Sequence, residues 1–426
     1  MPHPEAQGES VPPRGGKLSR NVRLLGLASL LNDVASEMIY PLMPQFLIGV
    51  LKGNKFQLGL IEGVADSASS LLKPWMGAWS DRAGRRKSFV VLGYLASAVS
   101  RPLIGLAAAP WHLLAARSAD RIGKGIRTAP RDALVAESSE DAMRGRAFGF
   151  QRAMDHLGAA FGPLLGALFL WIAPNELRTL FLLSIVPGLA VAVLLVLGLR
   201  ERAAVSGGSA APPVATGCGE TVAHPAVPPI DGNFRLYLFS LVVFTLGNSS
   251  DAFLLLRAGE LGVPTAVLPL LWCLFHVVKS SGNLVGGRLV DRWGPRPMIL
   301  AGWLLYAAVY LGFALAHEAW QVWVCFLAYG IHFALTEPAE RTFVTHLVGP
   351  RGKGRAFGWF NLAIGIATFP ASVAFGWLYD RFGALAAFGW GAGLALAAAA
   401  LLAGVNSARG RIPDRGVSNK RQGDSS

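Results

Sequence analysis

The sequence predicts an all-α polytopic membrane protein whose twelve transmembrane helices form two pseudo-symmetric six-helix bundles. Three observations lead there. The 426-residue chain is 53% hydrophobic and only 15% charged, with a mean hydropathy of +0.43, whereas an average soluble domain carries roughly 25% charged residues. Its apolar residues gather into segments near the ~20 residues that a spanning helix needs. Two short motifs also recur at almost the same offset in the two halves.

The segments lie near 22–50, 58–79, 88–108, 111–135, 146–173 and 178–199, then 234–258, 265–290, 297–316, 320–346, 355–380 and 384–404. The organisation read from them is a tail (1–21), a first bundle (22–199), a linker (200–233), a second bundle (234–404) and a closing tail (405–426). The linker contains Ser-Gly-Gly-Ser-Ala-Ala-Pro-Pro over 206–213 and reads as flexible. Residues 1–20 lack the apolar core of a signal peptide. Cys218, Cys273 and Cys325 show no metal or disulfide spacing.

The net charge of +13 comes from 39 Lys and Arg against 26 Asp and Glu. One set of loops holds only Lys52, Lys55, Arg178 and Arg381, while the opposite set holds a large majority, including Arg82, Arg85, Arg86, Lys87, Arg292 and Arg351. The positive-inside rule then places both termini and the linker in the cytoplasm of a bacterial-type inner membrane or a derived organelle membrane. The excess charge is read as topology, and no nucleic-acid role is assigned to it.

The two halves are related. Gly77-Ala-Trp-Ser-Asp81-Arg82-Ala-Gly84-Arg85 recurs as Gly287-Arg-Leu-Val-Asp291-Arg292-Trp-Gly294-Pro295, with Asp81 and Asp291 210 positions apart. Gly145-Arg146-Ala-Phe-Gly149 recurs as Gly354-Arg355-Ala-Phe-Gly358, offset by 209. Parallel repeats of this kind build one class of transporter.

Helix 4 is unusually charged. Arg117, Arg121, Lys124, Arg127 and Arg131 recur every three or four residues and share a helical stripe. A lipid-facing charge costs about 2.5–3.5 kcal/mol on the insertion scale, so the stripe should face a water-filled cavity or paired acids. Helix 1 offers counter-charges, with Asp33, Glu37, Tyr40 and Pro44 on one face. At ~1.5 Å per residue Glu37 lies about 22 Å along its helix, inside the bilayer. An acid there is permanently paired or titrates during work.

Helix 5 carries Arg152, Asp155 and His156, followed by Gly158-Ala-Ala-Phe-Gly162-Pro163-Leu-Leu-Gly166. Helix 7 carries Asn248, Asp251, Arg257 and Glu260, and helix 10 carries His332, Glu337, Glu340 and Arg341. Acids and bases nearly balance among these spans, which suggests a cavity built as an ion-pair network. Trp75, Trp79, Trp272 and Trp303 could be pocket walls, though most read more simply as interface anchors or packing.

The loop Gly-x-x-x-Asp-Arg-x-Gly-Arg-Arg between helices 2 and 3, including Arg86, resembles the signature loop of the major facilitator superfamily, and so does its degenerate copy between helices 8 and 9. The resemblance covers about residues 22–404. It implies that Gly77, Asp81, Arg82, Gly84, Arg85 and Arg86, with Gly287, Asp291, Arg292 and Gly294, form a latch that steadies the outward-open state. Arg117 with Gly123 and Gly125 resembles the family's helix 4 motif, with Asp120 and Arg121 replacing its Gln and Gly; the resemblance links Arg117 to proton coupling. Gly158, Gly162, Pro163 and Gly166 resemble the family's antiporter motif, which marks exporters that exchange substrate for protons; Ala167 stands at its last glycine.

The reading is a non-enzymatic secondary transporter, expected as a monomer without cofactor or bound metal, that exchanges protons for a small polar or charged solute. Asp33, Glu37, Arg117, Asp155 and His156 are the proton-coupling candidates. Tyr40, Arg121, Lys124, Arg127, Arg131, Arg152, Asp251, Arg257, Glu337, Glu340 and Arg341 are the candidates for the substrate cavity. Two rivals stay open: import of a metal ion such as iron, a chelate or an organic anion, with the acids at 33, 37, 251, 337 and 340 serving a hard cation; and a membrane scaffold or sensor that transports nothing.

Overall fold

The computed structural model describes residues 18–139, 143–199, 231–348 and 353–405. Most of both tails and of the linker lie outside the described residues. Helix α1 (Arg20–Glu37) continues through short irregular turns, Tyr40–Leu42, Met43–Gln45 and Phe46–Val50. Pro41 and Pro44 account for the break, since proline removes a backbone donor and clashes with the preceding turn. Next come α2 (Lys55–Ala83), α3 (Arg86–Gly105), α4 (Pro110–Glu137) and α5 (Arg144–Ile172). Helix α6 is built from Leu177–Leu183 and Ile185–Gly198.

The second half repeats the plan. Helix α7 consists of Gly232–Gly247 and Asp251–Glu260, separated by a non-helical Asn248–Ser250. Helices α8 (Leu268–Trp293), α9 (Pro295–Leu315) and α10 (Ala319–Val348) follow. The last helical stretch, Lys353–Ala403, has 51 residues. Straight, it would reach about 76 Å, far more than a ~30 Å hydrocarbon core. Gly383, at φ +83° and ψ −177°, breaks it into α11 before the glycine and α12 after it. The duplicated loop is visible in the backbone too: Gly84 (φ +61°) closes α2 and Gly294 (φ +84°) closes α8, at equivalent places in the two halves.

Within the first half α1 packs on α5 and α6, α2 on α4, and α3 on α4 and α6. In the second, α7 and α9 pack on the α11–α12 pair, while α10 packs on α8 and α9. The two most extensive contacts between the halves are α2 with α11 and α5 with α8, and the turns after α1 also touch α7 and α8. Among the described residues α3, α5, α6, α7, α9, α10 and the α11–α12 stretch are apolar and long enough to cross a membrane, and α8 qualifies when its two bent parts are taken as one span. Helices α1, α2 and α4 do not qualify. They carry inward-facing ionisable groups such as Glu37, Glu62, Arg117 and Asp120, so their polarity is explained by what they face inside the protein.

Candidate functional site

A cavity of about 350 Å³ lies between the halves, at the small end of ligand sites. Helices α1, α2 and α4 contribute Glu37, Tyr40, Asp66, Arg121 and Lys124 to its wall; α7, α8 and α10 contribute Asp251, Trp272, His276, Glu337 and Glu340. The break in α7 places Asn248, Ser249 and Ser250 on the same wall. A helix can stop at this depth because the freed backbone lines a polar cavity.

The end opposite the Arg-rich loops is closed by contacts between halves. Lys55 Nζ lies 2.8 Å from Glu260 Oε1 and over the Tyr379 ring at 4.2 Å, and Tyr379 Oη donates to Glu260 Oε2 at 2.5 Å. Gln45 Nε2 donates to the Leu255 carbonyl at 3.0 Å. Further in, α2 and α11 touch backbone to backbone: a Cβ on Gly59 would lie 2.2 Å from the Ser372 carbonyl oxygen. Ser67 Oγ donates to the Gly365 carbonyl at 3.1 Å. Toward the Arg-rich end, α2 instead exposes Trp75 (74%) and Trp79 (59%). There Asp81 pairs with Arg86 at 2.8 Å, and Arg86 with Glu137 at 2.6 Å. Both pairs stay within the first half. Arg82, Arg85, Asp291 and Arg292 are exposed, so the latch residues are brought together here only within their own half.

Arg117 is not answered by helix 1. Its Nε and Nη2 form a bidentate pair with Glu62 Oε1 and Oε2 at 3.0 and 3.1 Å. Asp120 lies 3.7 Å away and is itself 3.0 Å from Arg101. These four side chains are at most 3% exposed. They tie α2, α3 and α4 together, and Arg101 also donates to the Asn32 carbonyl of α1 at 3.0 Å. Arg117 additionally sits over the Tyr40 ring at 5.0 Å. Glu62 and Arg101 were missed in the sequence, where neither belongs to a motif. Their signal was their placement alone, as charges inside the segments read as spans. Glu62 also reaches the other half, accepting from Ser250 Oγ at 3.4 Å.

The α4 stripe splits. Arg121 and Lys124 line the cavity, and Arg121 Nε lies 3.2 Å from Asp66 Oδ1. Arg127 does not line it: this side chain turns into α3, donating to Ser97 Oγ at 2.6 Å and to the Gly93 carbonyl at 3.3 Å, with Tyr94 against its guanidinium. Arg131 turns toward α1, with Asp132 at 2.9 Å and Ser29 Oγ at 3.2 Å. Both depart from the expected cavity-lining role, because α4 is wedged between neighbours and its flanks are packing surfaces.

Glu37 faces the cavity and accepts from the Trp272 indole Nε1 of the other half at 2.8 Å. Trp272 is therefore a cavity group, the pocket-wall alternative of the two that the sequence left open. Asp33 accepts from Asn32 at 2.9 Å, and Asp155 from Gln151 at 3.3 Å. Asp33 and Asp155 lie within each other's electrostatic reach, with Arg131 and Arg152 beside Asp155. His156 is half-buried next to them and feels Arg152, Lys279 and Glu337.

The α5 glycines hold this arrangement close. A Cβ on Gly158 would meet the Leu30 carbonyl at 2.6 Å, on Gly162 the Val34 carbonyl at 2.8 Å, and on Gly166 the Met38 carbonyl at 2.6 Å. Small residues of this kind let two backbones touch. Gly162→Leu is expected to prise α5 from α1 at a cost of about 1–3 kcal/mol or more, read as a lower thermal transition of the purified protein. An unchanged transition would contradict the close contact.

In the second half Glu337 pairs with Lys279 at 2.9 Å and accepts from Asn283 at 2.8 Å. Asp251 accepts from Tyr329 Oη at 2.7 Å. Glu340 lines the cavity, while Arg152 and Arg341 are exposed outside its wall. Arg257 is also outside. It donates to the Phe313 and Ala316 carbonyls at 3.3 and 2.8 Å, fastening the end of α9. Among the described residues, no group of three or more His, Cys, Asp or Glu side chains is placed to hold a metal ion. The acids at 33, 37, 251, 337 and 340 therefore do not form the hard-cation cage considered above.

Two related six-helix bundles around a central polar cavity, with broken helices at its depth, define a polytopic membrane transporter and not an enzyme. The Major Facilitator Superfamily model matches residues 25–369 and 236–422, and the chain belongs to that family. It is 31% identical to an uncharacterized MFS-type transporter of Methanocaldococcus jannaschii over 369 residues, covering 85% of this chain and 89% of the relative. It is 24% identical to the multidrug resistance protein MdtH of an Enterobacter species, over 80% and 82% of the two chains. Among solved structures, the nucleoside transporter NupG superposes with a TM-score of 0.73 at 12% identity, over 90% and 99% of the two chains. A bacterial homolog of the human lysosomal transporter Spinster, in an inward-facing, occupied conformation, gives 0.69 at 18%, over 91% and 96%. At such identities these two share the fold alone.

Proposed function

We propose that this transporter exports a small polar or charged solute in exchange for protons, with Glu37 as the principal proton carrier. The observation that carries this is the placement of Glu37. It faces the central cavity, has no cation within ion-pair distance among the described residues, and is held by a hydrogen bond from Trp272 of the opposite half. A proton on Glu37 removes a negative charge from the cavity. A cationic group of the solute and a proton on Glu37 then disfavour one another within the same cavity, which is the requirement for exchange. Rocking of the halves breaks the Trp272 contact, so the carboxylate meets a different environment in each state. Asp33 and Asp155 form an auxiliary pair deeper in the first half, with His156 beside them.

Arg117, which already has two carboxylate neighbours, acts as a positioning residue for α4. With the Arg-rich loops in the cytoplasm, the conformation described here is inward-facing: sealed on the outer side, with the latch disengaged. The similarity to a multidrug resistance protein and the antiporter-type glycines of α5 both favour export.

The test uses the full-length protein in liposomes with an imposed pH gradient. The wild type should accumulate the transported solute against its concentration. Glu37→Gln should lose that accumulation while retaining counterflow exchange with no gradient. Full gradient-driven accumulation by Glu37→Gln would remove Glu37 from the coupling role.

A further inference from the structure

We infer that the central cavity is built for a zwitterion: a small solute bearing an anionic and a cationic group on an apolar or aromatic body. This rests on the reading above that the cavity is the transport site. It concerns what the cavity binds, and not how binding is coupled to protons.

The inference comes from pairing off the charges on the cavity wall. Arg121 is taken by Asp66 at 3.2 Å, and Glu337 by Lys279 at 2.9 Å. Glu37 and Asp251 already accept from Trp272 and Tyr329. Glu37, Asp251, Lys124 and Glu340 have no ion pair among the described residues; the first two accept hydrogen bonds at 2.8 and 2.7 Å, which leaves Lys124 on α4 and Glu340 on α10 the least satisfied. The charges around Lys124 are Arg121, Asp33, Lys73 and Arg127, a set with three cations and a single acid. Glu340 has the Trp303 indole as its polar neighbour, a second carboxylate, Glu337, close by, and the exposed Arg341 next to it on α10.

Lys124 and Glu340 are opposite in sign and stand on opposite halves. Lys124 is exposed to the cavity and Glu340 is half-buried on its wall, so each is open to a complementary group that reaches it. An anion-only solute satisfies Lys124 and leaves Glu340 facing nothing; a cation-only solute does the reverse. One dipolar solute spanning the cavity answers both. Phe244, Trp272 and Phe333 line the space between, giving an apolar or aromatic body a surface to stack on. Because each half holds one end, such a solute also bridges the bodies that move in alternating access.

Calorimetric titration of the purified full-length protein tests this, using phenylalanine and phenylalanylglycine as zwitterions of two lengths, phenylalanine methyl ester as the cation and N-acetylphenylalanine as the anion. At least one zwitterion should bind ten-fold or more tightly than either single-charge analogue. Lys124→Gln should reduce its affinity to that of the ester, and Glu340→Gln to that of the acetyl derivative, with thermal transitions unchanged. The proposal is overturned if a single-charge analogue binds as tightly as both zwitterions, or if neither zwitterion binds to folded protein. No gradient is present in this titration. A protein that binds zwitterions but fails the Glu37 experiment keeps this assignment and loses the exchange reading, and the converse result separates them equally well.

Discussion

Arg117→Leu is expected to destabilise the protein by about 3–5 kcal/mol, the cost of breaking a buried pair by removing one partner. At roughly 2–4 °C per kcal/mol this is a fall on the order of 10 °C in the thermal transition. The substitution leaves the Glu62 carboxylate, 1% exposed, without its bidentate partner. It also leaves Asp120 with Arg101 as its ion-pair partner among the described residues. Arg117→Lys should recover part of the loss, because an ammonium keeps the charge but not the two-point fork. The decisive variant is Glu62→Leu combined with Arg117→Leu. It removes both members of one pair while keeping the Asp120–Arg101 pair at 3.0 Å, so it should regain most of the stability. If Arg117 only positions α4, this double variant also keeps proton-driven exchange. If it folds and loses coupling, Arg117 belongs with Glu37 in the proton path, as its place in the helix 4 motif suggests.

The contrast between Glu62 and the other acids shows where the sequence stops being informative. Span positions, duplication and the polar character of α1, α2 and α4 follow from apolar run length and motif spacing, which are local properties. The break in α1 was not read, although Pro41 and Pro44 were plain to see. The break in α7 has no proline, and Asn248-Ser-Ser looks unremarkable until the cavity beside it is known. Partner choice is less legible still. Periodicity states which side of a helix a residue occupies, at about 100° per residue, but not which helix lies there. Arg121 and Arg127 are turned about 120° apart on α4. That is enough for one to meet Asp66 of α2 beside the cavity and the other to meet Ser97 of α3 away from it. Arg257 fails for another reason, height: it lies six residues beyond Asp251, about 9 Å along α7. That carries it past the cavity to the end of α9.

Gly59→Leu is expected to trap the protein open at the end opposite the Arg-rich loops. In the conformation described here a Cβ at position 59 would sit 2.2 Å from the Ser372 carbonyl oxygen, and a Cβ at position 376 would reciprocally sit 2.6 Å from the Lys55 carbonyl oxygen. These are backbone contacts, so no side-chain rotation relieves them. Helices α2 and α11 must separate, and with them goes the Lys55–Glu260–Tyr379 cluster that closes this end. Inverting a 99:1 population takes about 5.5 kcal/mol. Forced overpacking typically costs about 1–3 kcal/mol, and here a backbone clash is compounded by loss of a hydrogen-bonded ion pair between halves. Gly59→Ala should give a smaller shift in the same direction. Spin labels at Glu176→Cys and Arg381→Cys, exposed on opposite halves at this end, report the change once the native cysteines are replaced. The interspin distance should lengthen in Gly59→Leu, and counterflow should fall to background, because a carrier that cannot close one side cannot complete its cycle. An unchanged distance distribution with full counterflow would show that α2 and α11 need not touch for the cycle to run. Loss of the folded protein is a separate outcome, visible by its thermal transition, and would mean that the second conformation is not stable enough to receive the displaced population.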